Sequence, residues 1–176
     1  MARKYLIVVD VQDDFIYGPL GSREARSILP AVVDYIKEYE GEVIFTKDTH
    51  RSNYKNTQEG RFLPVEHCLA YSDGWELAGP LEEMQNKMRW PVYTKGAFGC
   101  VNLAIDLRAE YVKQEIEAID IIGVCTDICV ISNALLIKAY LPEVPITVHR
   151  DLCAGVTPEK HEAALKTMES CQIIIE

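Results

Sequence analysis

Six short runs rich in β-branched residues constrain this chain most: Tyr5 to Val9, Glu42 to Thr46, Pro91 to Thr94, Ala118 to Gly123, Ile146 to His149 and Gln172 to Ile175. They are nearly continuous in apolar character instead of alternating, and helical patterns separate most of them. A strand that is apolar on both sides has to be buried on both faces, which is the condition of a parallel sheet covered by helices. The pattern predicts a doubly wound α/β chain. Its helices fall over Glu24 to Glu40, Leu81 to Met88, Leu103 to Lys113, Ile128 to Tyr140 and Pro158 to Ser170. Thr157 suits the N-cap of the last, with Pro158 at the first helical position, where its missing N–H costs nothing.

The bulk properties narrow the function classes. At 176 residues the chain is expected to form one domain over residues 1–176, and 48% hydrophobic with 26% charged residues is ordinary for a globular protein. Eighteen Lys and Arg against 27 Asp and Glu leave a formal charge of −9 with no basic stripe, which argues against nucleic acid and anionic membranes as partners. No apolar run approaches the roughly 20 residues that cross a bilayer. Met1-Ala2-Arg3-Lys4 leads into a run too short for a signal peptide, so a cytoplasmic protein is expected. Six cysteines without disulfide-scaffold spacing are then expected as free thiols, most of them buried small hydrophobes.

In an open parallel sheet, functional groups gather beyond the carboxyl ends of the strands. Asp10 ends the first strand, Asp48 and His50 follow the second, Lys95 follows the third, and Cys129 lies just after the fourth in Val124-Cys125-Thr126-Asp127-Ile128-Cys129-Val130. Here a strand runs into a helix, so Cys129 reaches a helix N-terminus, where unpaired N–H groups and the macrodipole favour thiolate. Cys129 is therefore the candidate nucleophile. Asp10 could move the thiol proton to a leaving amine, and Lys95 could hold Asp10 charged, as amide hydrolysis through a thioester requires. The plainer reading makes Asp10 the cap of a turn and Lys95 a solvated loop residue. Asp13 and Asp14 read as turn or surface residues, and His149 and His161 as structural or solvated ones. Cys125 and Cys129 are spaced C-x-x-x-C, not the C-x-x-C of thioredoxin-like redox pairs.

The segment from Lys47 to Pro80 has no clear periodicity and is long enough to be suspected of function. Asp48 and His50 form an Asp-x-His pair, and His67 could complete a His₂-carboxylate set for a divalent transition metal, with Glu59 as a further ligand. Many loops of such composition bind nothing. No nucleotide-binding fingerprint is present, since the Gly96 to Gly99 turn fits neither dinucleotide nor P-loop patterns.

Asp10-Val11-Gln12-Asp13-Asp14-Phe15, Asp48-Thr49-His50, Leu63-Pro64-Val65-Glu66-His67-Cys68, Lys95-Gly96-Ala97-Phe98, Gly123 to Val130 and Asp151-Leu152-Cys153-Ala154-Gly155 together resemble the isochorismatase-like cysteine hydrolases. Within that superfamily they most resemble the nicotinamidases. The resemblance implies a three-layer α/β/α fold with a six-stranded parallel sheet of order 3-2-1-4-5-6. It further implies a triad of Asp10, Lys95 and Cys129, a cis peptide between Val124 and Cys125, and an oxyanion hole from the N–H groups of Cys125 and Cys129. The implied metal ligands are Asp48, His50 and His67; zinc is the first choice, with iron and manganese as alternatives, and the ion would bind a pyridine nitrogen. Phe15, Leu63 and Phe98 would flank the ring, Leu63 standing where many nicotinamidases have an aromatic. Two residues separate Pro64 from His67 where one is usual.

The expected activity is hydrolysis of nicotinamide to nicotinate and ammonia, with a small-molecule amide as partner and a homo-oligomer allowed. The alternatives are a metal-free cysteine amidohydrolase for another small amide or N-carbamoyl compound, and a non-catalytic metal-binding or interaction module. Isochorismatase activity itself fits less well, because the resembling isochorismatases lack the nucleophilic cysteine.

Overall fold

The computed structural model describes residues 3–113 and 116–176, so Met1 and Ala2 of the signal-peptide argument lie outside it. Strands β1 (Arg3–Val9), β2 (Glu42–Asp48), β3 (Val92–Lys95), β4 (Ile116–Val124), β5 (Ile146–Ala154) and β6 (Ile174–Ile175) form one sheet. Its order is β3-β2-β1-β4-β5-β6 and every neighbouring pair is parallel. This is the arrangement that the apolar runs and the resemblance imply.

The absence of alternation has a direct cause. Tyr5, Ile7 and Val9 of β1 enter one core with Leu103 and Leu107 of α5 (Val101–Lys113), Ala134 and Ile137 of α6 (Ile131–Tyr140), and Leu165 and Met168 of α7 (Pro158–Ser170). Leu6 and Val8 enter the opposite core with α1 (Asp13–Ile16) and the Ile28, Leu29, Val32 and Ile36 face of α2 (Arg23–Glu38). Both faces of each central strand are dry, so both parities are apolar. Thr157 caps α7 as expected, accepting from Lys160 N–H.

Element ends shift by a few residues throughout, and three departures from the sequence expectation are larger in consequence. The helix assigned from Ile128 is preceded by a wide π-helical turn, Thr126–Val130, before α6 begins at Ile131. β5 continues to Ala154, placing His149 within the strand and not at its end. The Lys47 to Pro80 segment is not structureless: it carries two 3₁₀ turns, Tyr54–Asn56 and Asp73–Trp75, and α3 (Gln58–Phe62), ahead of α4 (Leu81–Met88). These turns are too short for periodicity to betray them, and α3 is started by a local signal, the Thr57 side chain accepting from Gly60 N–H. Among the described residues no helix is long and apolar enough to cross a membrane.

Gly123 fixes where β4 meets β1. Its φ is +124°, and a Cβ there would stand 2.1 Å from the Val9 carbonyl oxygen. Gly123→Ala should therefore destabilise the chain by about 3 kcal/mol, combining a backbone clash with a conformation that L side chains avoid. Chemical denaturation checks this, and a loss below about 1 kcal/mol would mean that β4 can slide away from β1.

Candidate active site and metal centre

The polar residues singled out by sequence meet at one edge of the sheet. Asp10 follows β1 with φ of +49°, a left-handed conformation that Asp adopts more readily than most residues. Its Oδ1 accepts from Thr46 Oγ1 at 2.6 Å, and its N–H donates to the Thr46 carbonyl at 3.2 Å. Lys95 closes β3 as the register partner of Asp48. Its Nζ lies 2.6 Å from Asp10 Oδ2, 3.7 Å from Asp48 Oδ1 and 3.5 Å from Cys129 Sγ. Asp10 is wholly buried, and Lys95 and Cys129 are 6% and 5% exposed. Lys95 is thus no solvated loop lysine, nor is Asp10 a simple turn cap.

The ionisation of this group follows from burial and proximity. Burial disfavours the Lys95 ammonium, yet the Asp10 carboxylate above all, with Asp48, outweighs it and holds the lysine protonated. Burial raises the Asp10 carboxyl, opposed by Lys95 and assisted by Asp48. Cys129 is pushed well above the ordinary thiol range, first by burial and then by the Asp10 charge, with Lys95 opposing. This corrects the expectation of a resting thiolate. A helix terminus is worth about 1 kcal/mol at an exposed site, whereas full burial moves a titratable group by up to about 3–5 pKa units, each roughly 1.4 kcal/mol. The thiol sits too deep for the dipole to win.

The turn that carries Cys129 is held from two sides. Ile128 and Val130 N–H groups donate to the Cys125 carbonyl at 3.0 and 3.1 Å, with the Cys129 amide between them. Val124-Cys125 is a cis peptide. Asn133, which the sequence reading passed over, donates from Nδ2 to the carbonyls of Cys129 (2.8 Å) and Phe98 (3.1 Å) and accepts from Cys100 N–H (2.8 Å). It pins the loop after Lys95 to the turn bearing the thiol. All six cysteines are free: four are buried, Cys125 is half-buried and Cys171 is exposed. His149 and His161 serve elsewhere, His149 Nε2 bonding Tyr35 and Asp120 and His161 Nδ1 bonding Thr126.

Next to Asp10, Lys95 and Cys129, the side chains of Asp48, His50, Glu59 and His67 bring ligand atoms to within 4.8 Å of one another. Asp48 Oδ2 lies 2.9 Å from His50 Nε2 and 3.4 Å from His67 Nε2, while Glu59 Oε1 lies 3.5 and 3.7 Å from the same two nitrogens. His67 Nδ1 donates to the Val65 carbonyl at 2.8 Å, which fixes the ring and directs Nε2 toward the carboxylates. Without a metal these nitrogens donate to Asp48; deprotonated, they and the two carboxylates make a donor set that fits a divalent metal. Burial opposes ionisation of Asp48, yet hydrogen bonds from both histidines and the Lys95 charge hold its carboxyl well below the usual range.

Tyr54 was not found from sequence. It is fully buried, stands edge-on to His50 and His67 with ring centroids 4.7 and 5.1 Å away, and donates to the Leu63 carbonyl. Phe15 lies 5.5 Å from His67 and is nearly buried. Leu63 and Phe98 are 38% and 46% exposed. Asp14 is not a free turn residue, because its Oδ2 accepts from Cys68 N–H at 2.7 Å.

The isochorismatase domain family matches residues 4–176. The chain belongs to that family. An uncharacterized isochorismatase family protein PncA of Bacillus subtilis (strain 168) is 31% identical over 176 residues, 93% of this chain and 92% of its own. The nicotinamidase/pyrazinamidase of Mycobacterium tuberculosis is 26% identical, covering 96% of this chain and 95% of its own. A crystal structure of the pyrazinamidase of Pyrococcus horikoshii in complex with zinc superposes with a TM-score of 0.81 at 30% identity, covering 99% of this chain and 98% of that one. The isochorismatase-family fold thus extends over nearly the whole chain.

The raised thiol has a measurable consequence. Alkylation of Cys129 by iodoacetamide, followed by mass spectrometry, should be slow near neutral pH and climb as pH passes the ordinary thiol range. Asp10→Asn removes a charge that raises the thiol and leaves Lys95 in place, so it should speed alkylation at neutral pH, by roughly tenfold for each unit the pKa falls. Fast alkylation of the unaltered chain, flat from acid to neutral pH, would instead reveal a resting thiolate.

Proposed function

We propose that this chain is a metal-assisted cysteine amidohydrolase that converts nicotinamide to nicotinate and ammonia. The observation that carries the reading is Lys95 Nζ within 3.7 Å of Asp10, Asp48 and Cys129 alike, which joins a nucleophile and its proton acceptor to a four-ligand metal cluster. The relatives named nicotinamidase and pyrazinamidase point the same way.

Asp10 takes the Cys129 proton as Sγ adds to the carboxamide carbon. Negative charge passes from Asp10 through sulfur to the carbonyl oxygen, and Lys95, beside both Asp10 and Sγ, compensates it during the transfer. The Cys125 and Cys129 N–H groups receive the oxyanion, a contribution of roughly 10²- to 10³-fold per donor. Asp10 then returns the proton to nitrogen, the C–N bond breaks and ammonia leaves a thioester on Cys129. Water adds to the thioester with Asp10 as base, releasing nicotinate and restoring the thiol. Asp48, His50, His67 and Glu59 would hold the metal, zinc by preference, which when bound supplies a Lewis-acid contact for the ring nitrogen and so orients the carboxamide. Phe15 supports that side of the site through its packing on His67.

A metal-free amidohydrolase acting on N-carbamoyl compounds is the second reading; it shares the triad and differs in leaving the four-ligand cluster without a task.

Ammonia release from a panel of small amides separates these readings. Nicotinamide should lead, and benzamide, lacking the ring nitrogen, should be much poorer. Benzamide turnover equal to that of nicotinamide would remove the metal from substrate binding while leaving the sulfur chemistry standing. Cys129→Ala should abolish release from every substrate, and retained turnover would refute the thioester. Asp10→Asn should lower the rate by at least roughly 10²- to 10⁴-fold even as the thiol becomes easier to alkylate.

A further inference from the structure

The candidate metal cluster is drawn from two chain segments that meet through the backbone of His50 with Cys68 and Ala70. Asp48 and His50 end β2, whereas His67 lies on the far side of the loop through Tyr54–Asn56 and Gln58–Phe62. The carboxylates of Asp48 and Glu59 face the same two imidazoles there, so the spacing of these segments sets the spacing of the four ligand atoms. Gln12 before α1 and Asp14 within it supply two side chains that hold these segments from opposite ends. Gln12 is fully buried; its Oε1 accepts from Asp48 N–H at 2.7 Å and its Nε2 donates to the Asp48 carbonyl at 2.9 Å and to the Trp75 carbonyl at 2.9 Å. One neutral side-chain amide thus pairs both backbone groups of Asp48, as an added strand would. Two residues on, Asp14 Oδ2 accepts from Cys68 N–H at 2.7 Å, immediately after His67. Cys68 has φ of +45°, a conformation that an unanchored cysteine would leave.

The close fit of Asp14 reinforces the point. A Cβ at Gly74 would stand 2.1 Å from Asp14 Oδ1. The carboxylate is therefore wedged between the metal loop and the turn that precedes α4. The two loop segments also pair with each other, His50 N–H donating to the Cys68 carbonyl and Ala70 N–H to the His50 carbonyl, each at 2.9 Å.

We propose that Gln12 and Asp14 are positioning residues that preset the spacing of Asp48 and His67, so that the β1–α1 segment carrying Asp10 also registers the metal cluster against it. The proposal rests on the metal-assisted reading but concerns ion binding and not turnover. Neither residue touches a ligand atom of the cluster; each holds the backbone of a ligand residue or of its neighbour. Gln12→Glu keeps shape and one acceptor but sets an oxygen against the carbonyls of Asp48 and Trp75. Asp14→Ala frees Cys68 N–H, and Asp14→Asn retains an oxygen able to accept from it.

The test is zinc affinity of the full chain, measured without substrate by competition with a chromophoric chelator, with thermal melts and Cys129 alkylation rates alongside. Gln12→Glu and Asp14→Ala should each weaken zinc by about 10- to 100-fold, the range for supports of metal ligands, while Asp14→Asn recovers most of the loss. Cys129 alkylation should stay near that of the unaltered chain, since neither residue contacts Lys95 or the thiol. Lower melting temperatures with unchanged zinc affinity would overturn the proposal and leave both residues as ordinary structural contacts. An unaltered chain that takes up no zinc would overturn it as well. Weakened zinc binding in a chain that does not hydrolyse nicotinamide would uphold the positioning role and reject the proposed substrate.

Discussion

A single buried ammonium organises this site. Lys95 faces two carboxylates and a thiol with almost no solvent to share its charge. A buried charge is tolerated only when paired and hydrogen-bonded, and the two carboxylates beside Lys95 are placed by strand ends. Asp48 is its register partner on β2, and Asp10 lies one strand further, on β1. Strands stand about 4.8 Å apart, so a lysine side chain is long enough to lie across β2 and reach the end of β1. An edge strand is thus a suitable origin for the central cation of the site. A shorter basic residue there would leave Asp10 and Asp48 facing each other unpaired, with a cost of roughly 3–5 kcal/mol for the broken buried pair.

Asp48 divides its two oxygens between tasks. Oδ2 faces His50 and His67, while Oδ1 faces Lys95. One carboxylate therefore belongs to the four-residue candidate metal cluster and to the charge balance around Lys95, and small movements of β2 would be felt in both. Thr46 on the same strand holds Asp10 Oδ1, and Gln12 holds the Asp48 backbone. Register between β1 and β2, set by five paired positions from Tyr5 with Glu42 to Val9 with Thr46, is what brings the two halves of the site to a common depth.

The parts legible in the sequence were those governed by periodicity and by strand ends. Apolar runs buried on both faces located the strands, and the rule for open parallel sheets put Asp10, Asp48, Lys95 and Cys129 on one edge. The parts that escaped are long-range contacts of ordinary residues. Gln12, Thr46, Tyr54 and Asn133 carry no distinctive spacing, and their partners lie 36, 36, 9 and 35 residues away in the bonds that give them meaning. Asp14 read as a turn residue because it follows a strand end in a polar run; it lies in α1, and its carboxylate reaches 54 residues forward to Cys68. The ionisation of Cys129 was misjudged for a related reason. Helix position can be read along the chain, whereas burial is a property of the packed molecule, and here burial is the larger effect.

A protonated resting thiol suits the proposed chemistry better than a standing thiolate would. Thiolates are the species that oxidants and stray electrophiles attack, so a buried thiol beside Asp10 is shielded until an amide fills the site. Attack then needs only a short proton shift from sulfur to Asp10, and because Lys95 neighbours both atoms the negative charge moves without leaving its counter-ion. Burial, which makes the free thiolate costly, also strengthens the Lys95 attraction once the charge has moved, since the same low dielectric governs both terms. The depth that raises the Cys129 pKa is thereby the condition under which one lysine can serve two successive anions.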